Sequence, residues 1–185
     1  MQLKIAELSD IEAVLKLHSK YQVDTIEEED KKDGFVTTAF TEEELTKLIT
    51  QEQGLFIAKE GEDVLAYVMA ASWDFWSVWP LFEYMIKDLP NLEYLGQTLS
   101  ADNSYQYGPI CIDKSIRGTH VLKDIFDFAR EEMAKRYPIL VTFVNKINPR
   151  SLEAHQRKLG LEVIQEFEYN GNSYYEMVYD TSMPV

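Results

Sequence analysis

Along this chain the apolar positions change their spacing repeatedly between two and about 3.6 residues, and each change marks an element. Leu3 and Ile5 alternate with polar neighbours and predict a first strand. Ser9-Asp10-Ile11-Glu12 reads as a capping box, and Ile11, Val14, Leu15 and His18 follow it at helical spacing. Residues 23–33 are acidic and predict a loop. Thr41-Glu42-Glu43-Glu44 is a second capping box, opening a helix that buries Leu45, Leu48 and Ile49 and stops at Gly54. Residues 55–59 and 64–71 are apolar runs around Glu60-Gly61-Glu62-Asp63, which is a hairpin signal. Pro80 suits the first turn of a helix that runs to about Lys87.

The second half continues the alternation. Residues 105–113 form a strand interrupted by Gly108-Pro109, and a proline there predicts a bulge or a splayed edge because it cannot donate to a ladder. Residues 119–136 place Val121, Leu122, Ile125, Phe126, Ala129 and Met133 on one helical face. Residues 139–144 are apolar but for Thr142, as in a strand buried on both sides. Asn148-Pro149 opens a short helix. Residues 161–168 and 173–179 are strands joined through Asn170-Gly171, the strongest short hairpin signal. This order predicts an α/β architecture, one mixed sheet flanked by helices, with residues 1–185 as a single domain. The strands holding Ile110 and Ile139 are expected to be adjacent and parallel, joined by a right-handed crossover.

Composition narrows the function. The 185 residues are 45% hydrophobic and 27% charged, ordinary values for a globular domain. No apolar run approaches the roughly 20 residues that span a bilayer. No basic stretch followed by an apolar segment opens the sequence, so no secretory leader is expected. Cys111 is the only cysteine, which rules out an internal disulfide and suits a reducing, cytoplasmic setting. The net charge of −14 argues against nucleic acid or an anionic membrane as the main partner and favours cationic molecules at long range. Against that background the run Lys114, Arg117, Lys123 stands out.

That run lies where the strand Ile110-Cys111-Ile112 passes through Asp113-Lys114-Ser115-Ile116-Arg117-Gly118 into a helix. The first turn of a helix carries backbone N–H groups without intrahelical partners, and these attract anions. The turn, the strand before it, and the segments Asn148-Pro149-Arg150-Ser151 and Lys158-Leu159-Gly160-Leu161 together resemble the GNAT superfamily of acyl-CoA-dependent N-acetyltransferases. The element order is similar to the family's over nearly the whole chain.

The resemblance implies acetyl transfer from acetyl-CoA to an amine of a small molecule or peptide, by direct attack in a ternary complex and without a metal. It implies that the amides of Arg117, Gly118, Thr119, His120, Val121 and Leu122 cradle the pyrophosphate. It implies that the backbone of Ile110, Cys111 and Ile112 pairs with the pantetheine arm and polarises the thioester, and that Asn148 and Ser151 meet the CoA arm. The family's turn reads Arg-Gly-x-Gly-x-Gly/Ala, whereas here His120 and Leu122 stand at the later small positions. The family's Tyr-x-Lys-Leu-Gly-Phe supplies a tyrosine that protonates the departing thiolate. Gln156 occupies that place, so the neighbouring His155 is the candidate acid, its alternative being an ordinary helix-surface histidine.

Other readings stand beside this one. Cys111 with His120 or His155 as base would make a nucleophilic pair, although a lone cysteine in an apolar strand fits a core position. His18 reads as a packed histidine, and three widely spaced histidines do not form a zinc motif. The aromatic stretch Trp73 to Tyr84 suits either core or the wall of an acceptor pocket. The missing tyrosine and altered glycines also suit a GNAT-shaped CoA-binding or regulatory module without turnover. A homodimer is compatible with the sequence, which does not fix the oligomeric state.

Overall fold

The computed structural model describes residues 1–33 and 35–185, with the backbone alone for 32 and 33. The first half contains β1 (Gln2–Ile5), α1 (Ile11–Tyr21), α2 (Glu42–Lys47), β2 (Leu55–Glu60), β3 (Asp63–Ala71), α3 (Trp73–Trp76) and α4 (Pro80–Asp88). The second contains β4 (Glu93–Tyr94), β5 (Gln97–Thr98), β6 (Ser104–Ile112), α5 (Val121–Ala134), β7 (Ile139–Asn145), α6 (Pro149–Glu153), β8 (Glu162–Tyr169) and β9 (Asn172–Asp180). Seven strands form one mixed sheet in the order β1-β2-β3-β6-β7-β9-β8, and β4 and β5 make a separate hairpin. β6 and β7 are adjacent and parallel, as expected. The chain forms two compact units, residues 1–69 with 108–129, and residues 70–107 with 130–185. β3, β6 and α5 each run from one unit into the other.

In the first unit β2 pairs antiparallel with β1 and with β3. Gly61 closes the β2–β3 turn at φ +64°, a left-handed conformation that costs a residue without Cβ little. Leu55, Phe56, Ile57 and Ala58 are all fully buried. α1 turns Ile11, Val14, Leu17, His18 and Tyr21 inward, so Leu17 takes the place expected of Leu15. The start of α1 also differs from the Ser9 capping box. Asp10, not Ser9, is the organising side chain: its carboxylate accepts from the Glu7 amide (2.8 Å) and from Lys59 (2.9 Å). Two lysines from neighbouring strands, Lys4 and Lys59, fix that carboxylate and thereby the helix entry. The second box is as expected: Thr41 Oγ1 accepts from the Glu44 amide and Glu44 accepts from the Thr41 amide. The helix leaves through a π turn at Leu48–Glu52, and the left-handed residue is Gln53 (φ +49°), one before Gly54. Within the acidic segment expected as loop, Glu28–Asp33 forms a 3-10 run.

In the second unit β6 and β7 pair from Ser104↔Ile139 to Gln106↔Val141. The next carbonyl, Tyr107 O, accepts instead from the Thr142 hydroxyl at 2.7 Å. The Gly108–Pro109 peptide that follows is cis. β9 pairs antiparallel with β7 and with β8, and its hairpin with β8 turns through Asn170 and Gly171, both at positive φ. Trp73, Trp76 and Phe82 are buried, so these members of the aromatic stretch are core. The indoles of Trp73 and Trp76 donate to Ser104 Oγ (2.9 Å) and to the Gln106 carbonyl (3.1 Å).

Candidate functional site

The strand-to-helix turn lies wholly in the first unit. At the end of β6, Asp113 donates its amide to the Leu65 carbonyl (2.8 Å) and accepts at Oδ1 from the Ser115 amide (2.9 Å). That Asx-type contact starts a 3-10 turn at Lys114–Ile116. Asp113 Oδ2 accepts from Lys20 at 2.5 Å. Burial of this carboxyl raises its pKa, but the Lys20 ammonium and the Ser115 amide outweigh that and hold it down at about 2. The Tyr21 hydroxyl accepts from the Lys114 amide at 2.8 Å. Arg117 Nε donates to the Ile112 carbonyl (3.0 Å), and its guanidinium carbon stands 4.9 Å from the centre of the Tyr21 ring.

Gly118 follows at φ +81°, and nothing lies within 4 Å of the place a Cβ would take. The position therefore demands glycine for its backbone conformation rather than for space. Thr119 donates its hydroxyl to the Ile116 carbonyl at 2.6 Å. The His120 carbonyl accepts from the Asp124 amide, so the first turn of α5 begins at Val121, two residues after the expected Thr119. The His120 imidazole bonds through Nδ1 to Asp124 Oδ2 at 2.5 Å. That contact ties the ring to a side chain in the first turn of α5. Val121 is buried and Leu122 half-buried on the helix's inner side.

The positive run is thus divided. Lys114 is paired with Asp30 at 3.2 Å, and His120 with Asp124. Arg117 Nη1 and Nη2 and Lys123 Nζ carry no hydrogen bond among the described residues. The guanidinium edge, the open Gly118 backbone and the first-turn amides of a fourteen-residue helix make a group of donors that suits a phosphate.

Ile110 and Ile112 are half-buried and Cys111 is buried. Burial pushes the Cys111 thiol up to about 12, against the opposing charge of Arg117 and a hydrogen bond with Tyr67. Such a thiol stays protonated at neutral pH, which removes the nucleophile reading. Tyr67 in turn bonds His18 Nδ1 at 2.8 Å, and His18 is packed, as expected, edge-on to Phe40.

Asn148, Ser151 and His155 lie in the second unit. Asn148 is the N-cap residue of α6, with Pro149 at its first position. α6 continues into a π turn at Ala154–Lys158, which rotates His155 inward; it is 4% exposed and not a surface histidine. Its Nδ1 lies 2.7 Å from the Ser151 carbonyl, which only accepts, so the proton sits on Nδ1. Nε2 then accepts from the Tyr107 hydroxyl at 3.2 Å. Burial lowers the imidazole's pKa, partly offset by the Ser151 carbonyl. A neutral ring whose one N–H is given to a carbonyl is a poor acid, and Tyr107 O–H is the proton-bearing group that meets it. Burial raises the Tyr107 pKa, so it too keeps its proton. Gln156, at the place of the family's tyrosine, lines an open trough with Leu152, Val163, Gln165, Glu166 and Tyr175.

Sequence reasoning missed Tyr107 and a second group on β8 and β9. Glu176 is 1% exposed, and its Oε1 accepts from Gln165 Nε2 (2.8 Å), which also donates to Asp88 (2.7 Å). A glutamate in the apolar β9 run was the available signal. Among the described residues no cluster of His, Cys, Asp and Glu is able to hold a metal, and no helix is long and apolar enough to cross a membrane.

No protein-family model and no curated protein matches the chain. Solved structures match it over nearly its full length. One is the smu.2055 protein of Streptococcus mutans UA159, with TM-score 0.66, 16% identity, and 98% and 99% of the two chains covered. A second is a GNAT superfamily phosphinothricin acetyltransferase from Sinorhizobium meliloti in complex with AcCoA, with TM-score 0.65, 14% identity, and 97% of this chain and 87% of that one covered. A third is an N-acetyltransferase of Staphylococcus aureus Mu50, with TM-score 0.60, 19% identity, and 97% and 98% covered. The chain therefore has the fold of the GNAT acetyltransferases.

Proposed function

We propose that this chain, acting as one domain, is an acetyltransferase that uses acetyl-CoA to acetylate an amine of a small molecule or peptide. The observation that carries the reading is the turn from β6 into α5, where the Nη edge of Arg117, without a hydrogen bond among the described residues, and the start of a fourteen-residue helix support an anion site on the amides from Gly118 to Leu122. The remaining assignments are part of the same proposal: the backbone of Ile110, Cys111 and Ile112 along the pantetheine arm, and Asn148 and Ser151 on the CoA arm. Bound acetyl-CoA supplies the acetyl group as an activated thioester. His155 enters as the residue that orients the Tyr107 hydroxyl, and Tyr107 O–H is the proton of that pair.

Calorimetry with CoA on the wild type and on Arg117→Ala tests the reading. Loss of a charge-assisted hydrogen bond should weaken binding by about 1.5–3 kcal/mol, or roughly 10- to 150-fold. The loss should shrink at high salt, because the side chain is only half-buried. Saturating CoA, at about 100 times its dissociation constant, should add about 2.7 kcal/mol of stability. Equal affinity in both proteins, or none in either, sinks the proposal. A second reading, CoA binding without turnover, is favoured by Gln156 at the tyrosine position. CoA binding with no thiol release across a panel of amines would decide for it.

A further inference from the structure

The turn that presents Arg117 is held partly by its own bonds, Ser115 amide to Asp113 Oδ1 and Thr119 hydroxyl to the Ile116 carbonyl, and partly from outside. Two of the outside groups are the last two residues of α1. Lys20 Nζ sits 2.5 Å from Asp113 Oδ2, the carboxylate whose other oxygen caps the 3-10 turn. The Tyr21 hydroxyl takes the Lys114 amide at 2.8 Å, a donor at the head of that turn. The Tyr21 ring lies beneath the Arg117 guanidinium, 4.9 Å from its centre, while Nε is tied to the Ile112 carbonyl at 3.0 Å. Tyr21 is 2% exposed, so both its ring and its hydroxyl are held by packing. An arginine whose guanidinium stands over a buried ring and whose Nε is committed turns the edge made of Nη1 and Nη2 outward.

From this geometry we infer that Lys20 and Tyr21 are positioning residues for the cofactor's phosphates: they fix the turn and aim the Arg117 edge without touching the ligand. The inference rests on the proposed CoA reading of the turn and goes beyond it. It assigns α1, which carries none of the motif residues quoted for the resemblance, a share in cofactor affinity. Two separable routes run through Tyr21. The hydroxyl acts on the Lys114 amide and hence on the backbone of the turn. The ring acts only through Arg117. Preorganisation of this kind contributes because the turn and the guanidinium do not have to be ordered when the ligand arrives.

The two routes predict a pattern that a general packing role would not produce. CoA binding to the full chain is measured by calorimetry for Tyr21→Phe, Tyr21→Leu, Arg117→Ala and both doubles. Tyr21→Phe keeps the ring and should weaken CoA about 2- to 10-fold, the worth of one hydrogen bond. This loss should persist when Arg117 is already alanine. Tyr21→Leu removes ring and hydroxyl and should weaken CoA further, and the additional loss should vanish in the Arg117→Ala background, because the ring then has nothing to aim. Lys20→Met, at a half-exposed side chain, tests the Asp113 contact without disturbing the core and should weaken CoA by a factor similar to Tyr21→Phe. It decides the matter if Tyr21→Leu does not fold. Weakening by Arg117→Ala alone, with Tyr21→Phe and Lys20→Met at wild-type affinity, overturns the positioning inference and leaves the CoA reading intact. Wild-type affinity in Arg117→Ala as well overturns both.

Discussion

Glu176 offers a quantitative test of the second unit's interior. The register sets it in a row between Phe143 on β7 and Gln165 on β8. One carboxylate oxygen accepts from Gln165, and the other, buried, has no partner among the described residues. Burial pushes the carboxyl up to about 7 from an ordinary 4.5; the Gln165 bond opposes this and the nearby Asp88 charge adds to it. Between those two values the unfolded chain has lost the proton and the folded chain keeps it, so stability falls as pH rises through this window and levels off above it. A displacement of that size corresponds to about 3 kcal/mol. Glu176→Gln keeps an oxygen for the Gln165 bond and stays neutral at every pH. Urea unfolding of both proteins at pH 5, 6, 7 and 8.5 isolates the one group, since all other titrations are shared. The variant should match the wild type within about 1 kcal/mol at pH 5 and exceed it by about 2–3 kcal/mol at pH 8.5. Parallel pH curves would show that Glu176 titrates normally and that the buried oxygen is solvated.

The other sites give shorter tests. Cys111, buried and with its thiol pushed up to about 12, should resist iodoacetamide at pH 8 in the folded protein and react as a free thiol in denaturant; fast alkylation of the native chain would refute the burial argument. If Tyr107 and His155 act together on the transferred proton, Tyr107→Phe and His155→Ala should each lower turnover about 100-fold while changing CoA affinity less than about twofold, and full activity in both returns the pair to packing. Thr41→Ala removes a reciprocal cap from α2 and should cost about 1 kcal/mol in thermal or urea unfolding, with CoA affinity unchanged.

What the sequence made legible was local in its physics. The β2–β3 and β8–β9 hairpins follow from the residues of their own turns, and Asn170 and Gly171 take the left-handed conformations that Asn-Gly favours. The Thr41 capping box closes over three residues and was readable for the same reason. β4 and β5 were not: two residues each leave no alternation to see. At the start of α1 the local part of the arrangement, Asp10 on the Glu7 amide, competes with the Ser9 capping box in the letters, and the part that fixes it, Lys59, lies 49 positions away where no local pattern reports it. The site divides along the same line. Arg117, Gly118 and the strand before them were visible as a run, whereas Lys20 and Tyr21 reach the turn across 93 positions. For His155, the candidate acid, a surface position stayed open as the alternative because α6 is too short to show a stripe. The π turn that rotates it inward, and Tyr107 that receives it, appear only in three dimensions.

The letters that depart most from the glycine-rich pattern matter less to the chemistry than to the eye. A phosphate cradle needs backbone N–H groups that point outward, one residue free to take a left-handed conformation, and no side chain in front of the amides. The left-handed residue here is Gly118, and that glycine is present, at φ +81°. His120 gives its carbonyl to the helix and its imidazole Nδ1 to the Asp124 carboxylate in the first turn, so the ring is engaged there. Val121 is buried and Leu122 half-buried. The tyrosine position is different in kind. Gln156 has no proton to give at neutral pH, and no rearrangement of the turn supplies one. On the proposed reading, phosphate binding rests on the turn after β6 and thiolate protonation on Tyr107, two separate features of this chain. Measuring CoA affinity and thiol release on the same variants is what tells an acetyltransferase from a protein that only holds the cofactor.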